Sequence, residues 1–119
     1  MRIKNMITIY QHLLTGADIF ELLNNNIKGE IEPFMELIIT NVYLEKKEYS
    51  AILDKLLNDW TFDRLGFIEQ AILLMSISEI KQEINEKAVV INEAVTLSKK
   101  YGSDDDSYKL INATLDRYE

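Results

Sequence analysis

Residues 60 to 80 read WTFDRLGFIEQAILLMSISEI. Leu65, Ile68, Ile72, Met75 and Glu79 recur at steps of three and four, the spacing of one helix face. Phe67, Leu73, Leu74, Ile77 and Ile80 fall on the other faces. A helix apolar nearly all round is either a membrane span or a helix enclosed by others. The unbroken apolar run, Ala71 to Met75, is far short of the roughly 20 residues a span needs. Glu69, Ser76, Ser78 and Glu79 interrupt the stretch further. It therefore predicts the central helix of an all-α fold, near residues 64–80, with other helices packed around it.

The remaining chain fits that frame. Its 119 residues suit one domain spanning 1–119. An apolar content of 47% can fill a core and argues against disorder. With no cysteine, disulfides, thiolate chemistry and cysteine-ligated metal sites are excluded. The start, MRIKNMITIYQHLL, is interrupted by Gln11-His12 and lacks a small-residue cleavage site, so it does not read as a signal peptide. The expected compartment is the cytoplasm, with no membrane association. Net charge is −7, from 13 Lys and Arg against 20 Asp and Glu. Such a chain repels nucleic acid at long range unless its cations gather on one face.

Helical periodicity predicts about seven helices and no strand. The first runs from about Arg2 to Leu14, with Ile3, Met6, Ile7, Tyr10 and Leu14 on one face, and Thr15-Gly16 ends it. A short second helix carries Phe20, Leu22 and Leu23, with Asp18 in its first turn. Pro33 suits the first turn of a third, where a missing N–H costs nothing. A polar patch, Glu45 to Glu48, leads to a fourth helix that Trp60 closes. Asp63 is placed to cap the central helix or complement its dipole. A sixth helix ends in Lys99-Lys100 with Gly102 as its C′ residue. Ser103 then caps the last helix, with Asp104, Asp105 and Asp106 in its first turn.

Catalytic chemistry finds little support. His12 is the only histidine and reads as structural, with no nucleophile motif beside it. The Asp104–Asp106 run lacks the alternating ligands, glycine and terminal glutamate of a calcium loop. No glycine-rich phosphate loop is present. No enzyme, metal or cofactor is expected. Chemistry alone describes an acidic, all-α binding domain.

The second half resembles the NusB family of bacterial transcription antitermination factors. The resemblance rests on Trp60, Arg64, Leu65, Ile68, Glu69, Ala71, Ile72 and Leu73, then Glu79-Ile80. It continues through Val90-Ile91-Asn92-Glu93-Ala94-Val95, Leu97, Lys99, Tyr101 and Gly102. It closes with Asp106-Ser107, Lys109, Ile111-Asn112 and Leu115-Asp116. The ordered series covers about half the chain.

What the resemblance implies is an all-helical fold of two packed helical subdomains and a function without catalysis. NusB-like proteins pair with NusE, a small-subunit ribosomal protein. The pair binds boxA RNA in nascent ribosomal transcripts and helps to load other elongation factors on RNA polymerase. The resemblance implies RNA contacts at Arg2, Lys4, Lys99, Lys100, Asp106, Ser107 and Lys109, and NusE contacts at Tyr10, Asp63 and Glu69. For each a plainer role stays open. Ser107 and Lys109 meet a phosphate at the helix start or merely complement its dipole. Asp106 accepts from a base or a ribose 2′-OH, or serves as the capping-box partner of Ser103. Tyr10 is a partner contact or a core aromatic, and Glu69 an acidic contact or a solvated helix face. Asn92 and Asn112 are expected to tie helices together through side-chain hydrogen bonds.

The chain departs from the family pattern in four places. The arginine-rich arm ahead of the first helix is reduced to Arg2 and Lys4. Leu74 stands where an arginine is usual, Leu110 where an aromatic is usual, and Ala113 where a glycine is usual. The loss of that aromatic removes about 1–3 kcal/mol of base stacking. With a charge of −7, RNA binding by the chain alone is expected to be weak and strongly salt-dependent, with NusE supplying most cations. The alternative is a NusB-fold interaction module or homodimer with weakened RNA recognition.

Overall fold

In the computed structural model, which describes residues 2–119, the central helix α4 spans Phe67–Lys81 and every residue from Glu69 to Glu79 is buried. Around it stand α1 (Arg2–Thr15), α2 (Ile19–Asn26), α3 (Pro33–Leu56), α5 (Lys87–Tyr101) and α6 (Ser107–Asp116). A short 3-10 turn, Phe62–Arg64, precedes α4. α4 touches α1, α3, α5 and α6. α1, α2 and α3 also touch one another, and α5 pairs with α6. One apolar core draws on all six helices, from Met6 and Ile9 through Ile39, Tyr49 and Leu73 to Ala94, Ile111 and Leu115. Among the described residues no helix is long and apolar enough to cross a membrane.

Local chemistry sets most of the boundaries. Gly16 takes φ 73° just after α1, a left-handed conformation that glycine adopts without a Cβ penalty. The carboxylate of Asp18 caps α2, accepting the N–H groups of Phe20 and Glu21 at 2.8 and 3.1 Å. Pro33 opens α3.

Among the described residues six α-helices form, against the expected count of about seven. The expected third and fourth helices are one, because the polar patch between them, Glu45-Lys46-Lys47-Glu48, contains neither glycine nor proline. These residues are good helix formers, so α3 runs through them and only kinks at Glu45 (φ −111°, ψ 16°). Trp60 does not close a helix: α3 ends at Leu56 and Trp60 lies in the following loop. Asp63 does not cap α4 either. It is exposed in the 3-10 turn, and Gly66 holds the N-cap position. The loop is pinned instead by Asp54, whose carboxylate accepts the Phe62 N–H at 2.7 Å.

The polar residues that interrupt α4 are buried, and four of them bind other segments. Gln70 donates to the Leu65 carbonyl at 2.9 Å, and Ser78 reaches the Ile38 carbonyl of α3 at 3.4 Å. The Arg2 Nε–H is shared between the two carboxylate oxygens of Glu79, each 3.0 Å away, while Arg2 Nη2 donates to Oε1 at 2.6 Å and Asn85 Nδ2 donates to Oε1 at 3.0 Å. Glu69 binds the α5–α6 loop.

Candidate nucleic-acid interface

The α5–α6 junction gathers most of the residues expected to meet RNA. α5 ends with Lys99 and Lys100 in its last turn, where cations face the negative end of the helix dipole. Gly102 follows at the C-cap with φ −59° and ψ 155°, so left-handed geometry is not its purpose. Close approach is: a Cβ there would press on the Ser98 carbonyl oxygen and stand 2.9 Å from Ser107 Cβ. This tight exit carries Ser103 onto Glu69. The Ser103 N–H donates to Glu69 Oε2 at 2.7 Å and its hydroxyl to Oε1 at 2.6 Å. Gly66 leaves room for the clamp, since a Cβ on it would lie 2.5 Å from both Glu69 Oε1 and Ser103 Oγ.

Beyond the clamp the loop binds itself. Asp104 Oδ1 accepts the Asp106 N–H at 2.8 Å, and Ser107 Oγ accepts the Asp104 N–H at 3.3 Å. Ser103 is therefore no cap for α6. Asp106 occupies that position without a side-chain cap bond and is not a capping-box partner. Its carboxylate pairs instead with Lys109 at 3.3 Å, both groups open to solvent. Tyr108 stands between two lysines, with Lys99 Nζ 4.8 Å and Lys109 Nζ 6.0 Å from its ring centre. Lys100 lies 5.4 Å from the Tyr101 ring. Such contacts hold the ammonium groups near aromatic faces while leaving them hydrated.

A cleft of about 370 Å³ opens beside this loop. Its lining joins Trp60 and Arg64 with Asp104, Asp106, Ser107 and Leu110, and includes the Glu69–Ser103 clamp. Spacing in sequence could not join these two segments, which lie some forty residues apart. The approach of Lys99 to Tyr108 likewise depends on how α5 and α6 pack.

The other expected site residues are scattered. Arg2 is at the far end of α4, bound to Glu79, ten residues or ~15 Å along the axis from Glu69. Hydrogen bonding to Glu79 raises its already high pKa. Its guanidinium is engaged by that carboxylate. Lys4 is exposed and lines a separate cleft with Lys28, Glu30 and Glu32. Tyr10 is half-buried against the core, and Asp63 is exposed. Glu69 is only 3% exposed, so it is not part of a solvated helix face. Asn92 and Asn112 are exposed and tie no helices together; helix packing here is apolar. His12 Nδ1 lies 2.6 Å from the Ala17 carbonyl, an acceptor that places the proton on Nδ1.

The family model described as the NusB family matches residues 2–119. The chain belongs to the NusB family. A protein of Exiguobacterium sp. named "Transcription antitermination protein NusB" is 34% identical, over 96% of this chain and 90% of its own length. One of the same name from Crocosphaera subtropica is 35% identical over 98% of this chain, which spans 57% of that longer protein. Among solved structures, T. maritima NusB superposes with a TM-score of 0.86 at 21% identity, covering 98% of this chain and 85% of that one. A chain from a structure described as a plectonemic RNA supercoil gives 0.83 at 25% identity, covering 97% and 88%. The NusB fold is thus common to the second-half motifs and to the first half, which carried no motif.

Proposed function

We propose that this NusB-family chain is a non-catalytic adaptor in transcription antitermination, working in the cytoplasm. In this reading it pairs with NusE first and binds boxA RNA second, and through them it acts indirectly on other elongation factors and RNA polymerase. The observation that carries the RNA half is the cluster of Lys99, Tyr108 and Lys109 at the α5–α6 junction, beside the acceptors of Asp104 and Asp106. It groups three lysines, Lys99, Lys100 and Lys109, beside Asp104, Asp105 and Asp106 in a chain whose net charge is −7, so attraction of a phosphate backbone is local to the lysines and strongly salt-dependent. Ser107 is buried and holds the loop through Asp104, so its role is to shape the site. Lys100 adds charge at the same helix end, and Lys4 lies outside the cluster.

For the NusE half, exposed Asp63 and half-buried Tyr10 are the surface candidates. Asp63 suits a basic ribosomal protein, speeding encounter more than adding affinity. Glu69 serves by holding Ser103 in place rather than by touching the partner. A second reading, a protein-interaction module or homodimer with weak RNA binding, draws on the engagement of Arg2 by Glu79, which withdraws one of the few cations of α1.

The test is a boxA RNA titration at two salt concentrations, with and without NusE. The adaptor predicts much tighter binding with NusE present. Lys109→Ala then reduces the salt slope by about one, as for one lost phosphate contact. Binding of NusE with no RNA binding at either salt selects the second reading.

A further inference from the structure

The cleft beside the junction does more than border the lysines. Trp60 lies on its wall, 54% exposed, in a loop where nothing in the packing requires an indole. Arg64, one 3-10 turn further on, is also exposed and takes part in none of the ion pairs among the described residues. The same lining includes Leu110 as an apolar contact and Asp104 and Asp106 as acceptors. At about 370 Å³ the cleft is near the small end of the ~300–1,000 Å³ typical of ligand clefts. It admits a single planar group rather than a helix or strand.

We propose that this cleft is a nucleobase subsite, in which one base turned out of a single-stranded RNA stacks on Trp60 while Arg64 meets an adjoining phosphate. The inference rests on the RNA-binding reading above and adds two residues and a pocket to it. Stacking on an aromatic face suits any base, and the carboxylates of Asp104 and Asp106 accept from an exocyclic amine or a ribose hydroxyl. Lys109, paired with Asp106, continues the path toward Lys99 along the helix junction. A rival occupant is a cationic side chain of a protein partner, for which an indole and two carboxylates are also a fitting box. Of the three carboxylates in the lining, Glu69 is engaged by Ser103 and Asp106 by Lys109, so only Asp104 is uncommitted to a partner side chain and Arg64 stays available to a phosphate, which favours the base. Trp60 thereby offers an aromatic platform in the cleft that Leu110 also lines, where the family aromatic is absent.

The chain contains one tryptophan, so its own fluorescence reads the subsite. A single-stranded boxA RNA oligonucleotide is titrated into the complex with NusE, following tryptophan emission and, separately, filter binding. The same titration of Trp60→Phe identifies the part of the signal that belongs to Trp60. The expected result is a change in Trp60 emission that saturates with RNA. Trp60→Ala weakens filter binding about tenfold, within the range for losing one stacked base, and Trp60→Phe retains most of the affinity. Arg64→Gln lowers the salt slope by about one. Both positions are exposed, and circular dichroism verifies that the variants fold. RNA binding with unmoved emission and unchanged affinity of Trp60→Ala overturns the subsite and leaves the RNA reading standing. A signal that responds fully to NusE and no further to RNA gives the cleft to the protein partner and overturns it too. Absence of RNA binding by the unaltered complex overturns the subsite together with the RNA reading.

Discussion

The two ends of α4 bury the same chemical group and satisfy it in opposite ways. Glu69, in the first turn, is 3% exposed and is met by neutral donors, the N–H and hydroxyl of Ser103. Glu79, in the last turn, is fully buried and is met by the Arg2 guanidinium, with Asn85 assisting. The helix itself explains the difference. Its unpaired N–H groups give the N-terminus a partial positive charge, and its unpaired carbonyls give the C-terminus a negative one. A carboxylate at the first end is already favoured and needs only hydrogen bonds. At the other end it adds to existing negative charge, and burial without a cation costs several kcal/mol. One end thus fixes a loop beside the candidate RNA site, and the other fastens the start of α1.

Breaking the Glu79 end has the largest expected effect. Arg2→Met leaves a buried carboxylate at the negative helix end without its cation. It lowers unfolding free energy by about 3 kcal/mol in guanidinium titrations. The double change Arg2→Met with Glu79→Leu recovers most of that loss, because removing both partners removes the uncompensated charge. Equal destabilisation of the single and double variants defeats the dipole explanation.

At the other end the effect is smaller and more local. Glu69→Ala removes two hydrogen bonds that need no cation, and about 1–2 kcal/mol of stability goes with them. Its distinguishing mark is faster hydrogen exchange at the Ser103 amide, while amides in the middle of α4 slow or quicken only with global stability. Gly66→Ala sharpens the point without touching a polar group. Its Cβ would stand 2.5 Å from both Glu69 Oε1 and Ser103 Oγ. The same amide is expected to lose protection, at a cost of about 1 kcal/mol. Protection retained in both variants shows that the clamp does not hold the loop.

The smallest effect belongs to a pair outside this contrast. Lys81 Nζ meets Glu48 Oε1 at 2.7 Å on the surface near the α3 kink. Hydrogen bonding to Lys81 lowers the Glu48 pKa, and hydrogen bonding to Glu48 raises that of Glu45. The Glu48 contribution is present above its unfolded pKa and disappears as pH falls through the lower folded one. Glu45 acts with the opposite sign, gaining stability as it protonates. Both groups are solvated, and screening by water and salt keeps either contribution small. Lys81→Ala is expected to leave the unfolding midpoint unchanged between pH 4 and 7, a prediction that a clear acid-dependent difference would contradict.

Much of this was legible in the residues and some was not. The enclosure of α4 followed from apolar side chains on every face of one short helix. The α1 boundary at Gly16 and the α3 start at Pro33 followed from backbone preferences. The continuity of α3 was missed because a polar patch was taken for a loop, although its residues favour helix and nothing in it breaks one. Lys99, Asp106 and Lys109 were found near one another because they neighbour the same turn in sequence. The engagement of Arg2 was not legible because the carboxylate that binds it lies 77 residues away. Ser103 was misread as a cap because local spacing offered that bond and the distant Glu69 offered a better one.

By itself, then, the sequence determined that this chain is all-helical, organised on one enclosed helix, acidic, and a member of a recognisable family. Those properties are sums over local periodicity, composition and short ordered motifs, which need no knowledge of distant neighbours. Only the tertiary structure decided which charges are spent inside and which stand free at the surface. It also decided that Trp60 and Arg64 share a cleft with the α6 loop. A carboxylate in water and one in a core are the same letter, and the partner that makes burial tolerable is chosen by the packing of helices, not by spacing along the chain.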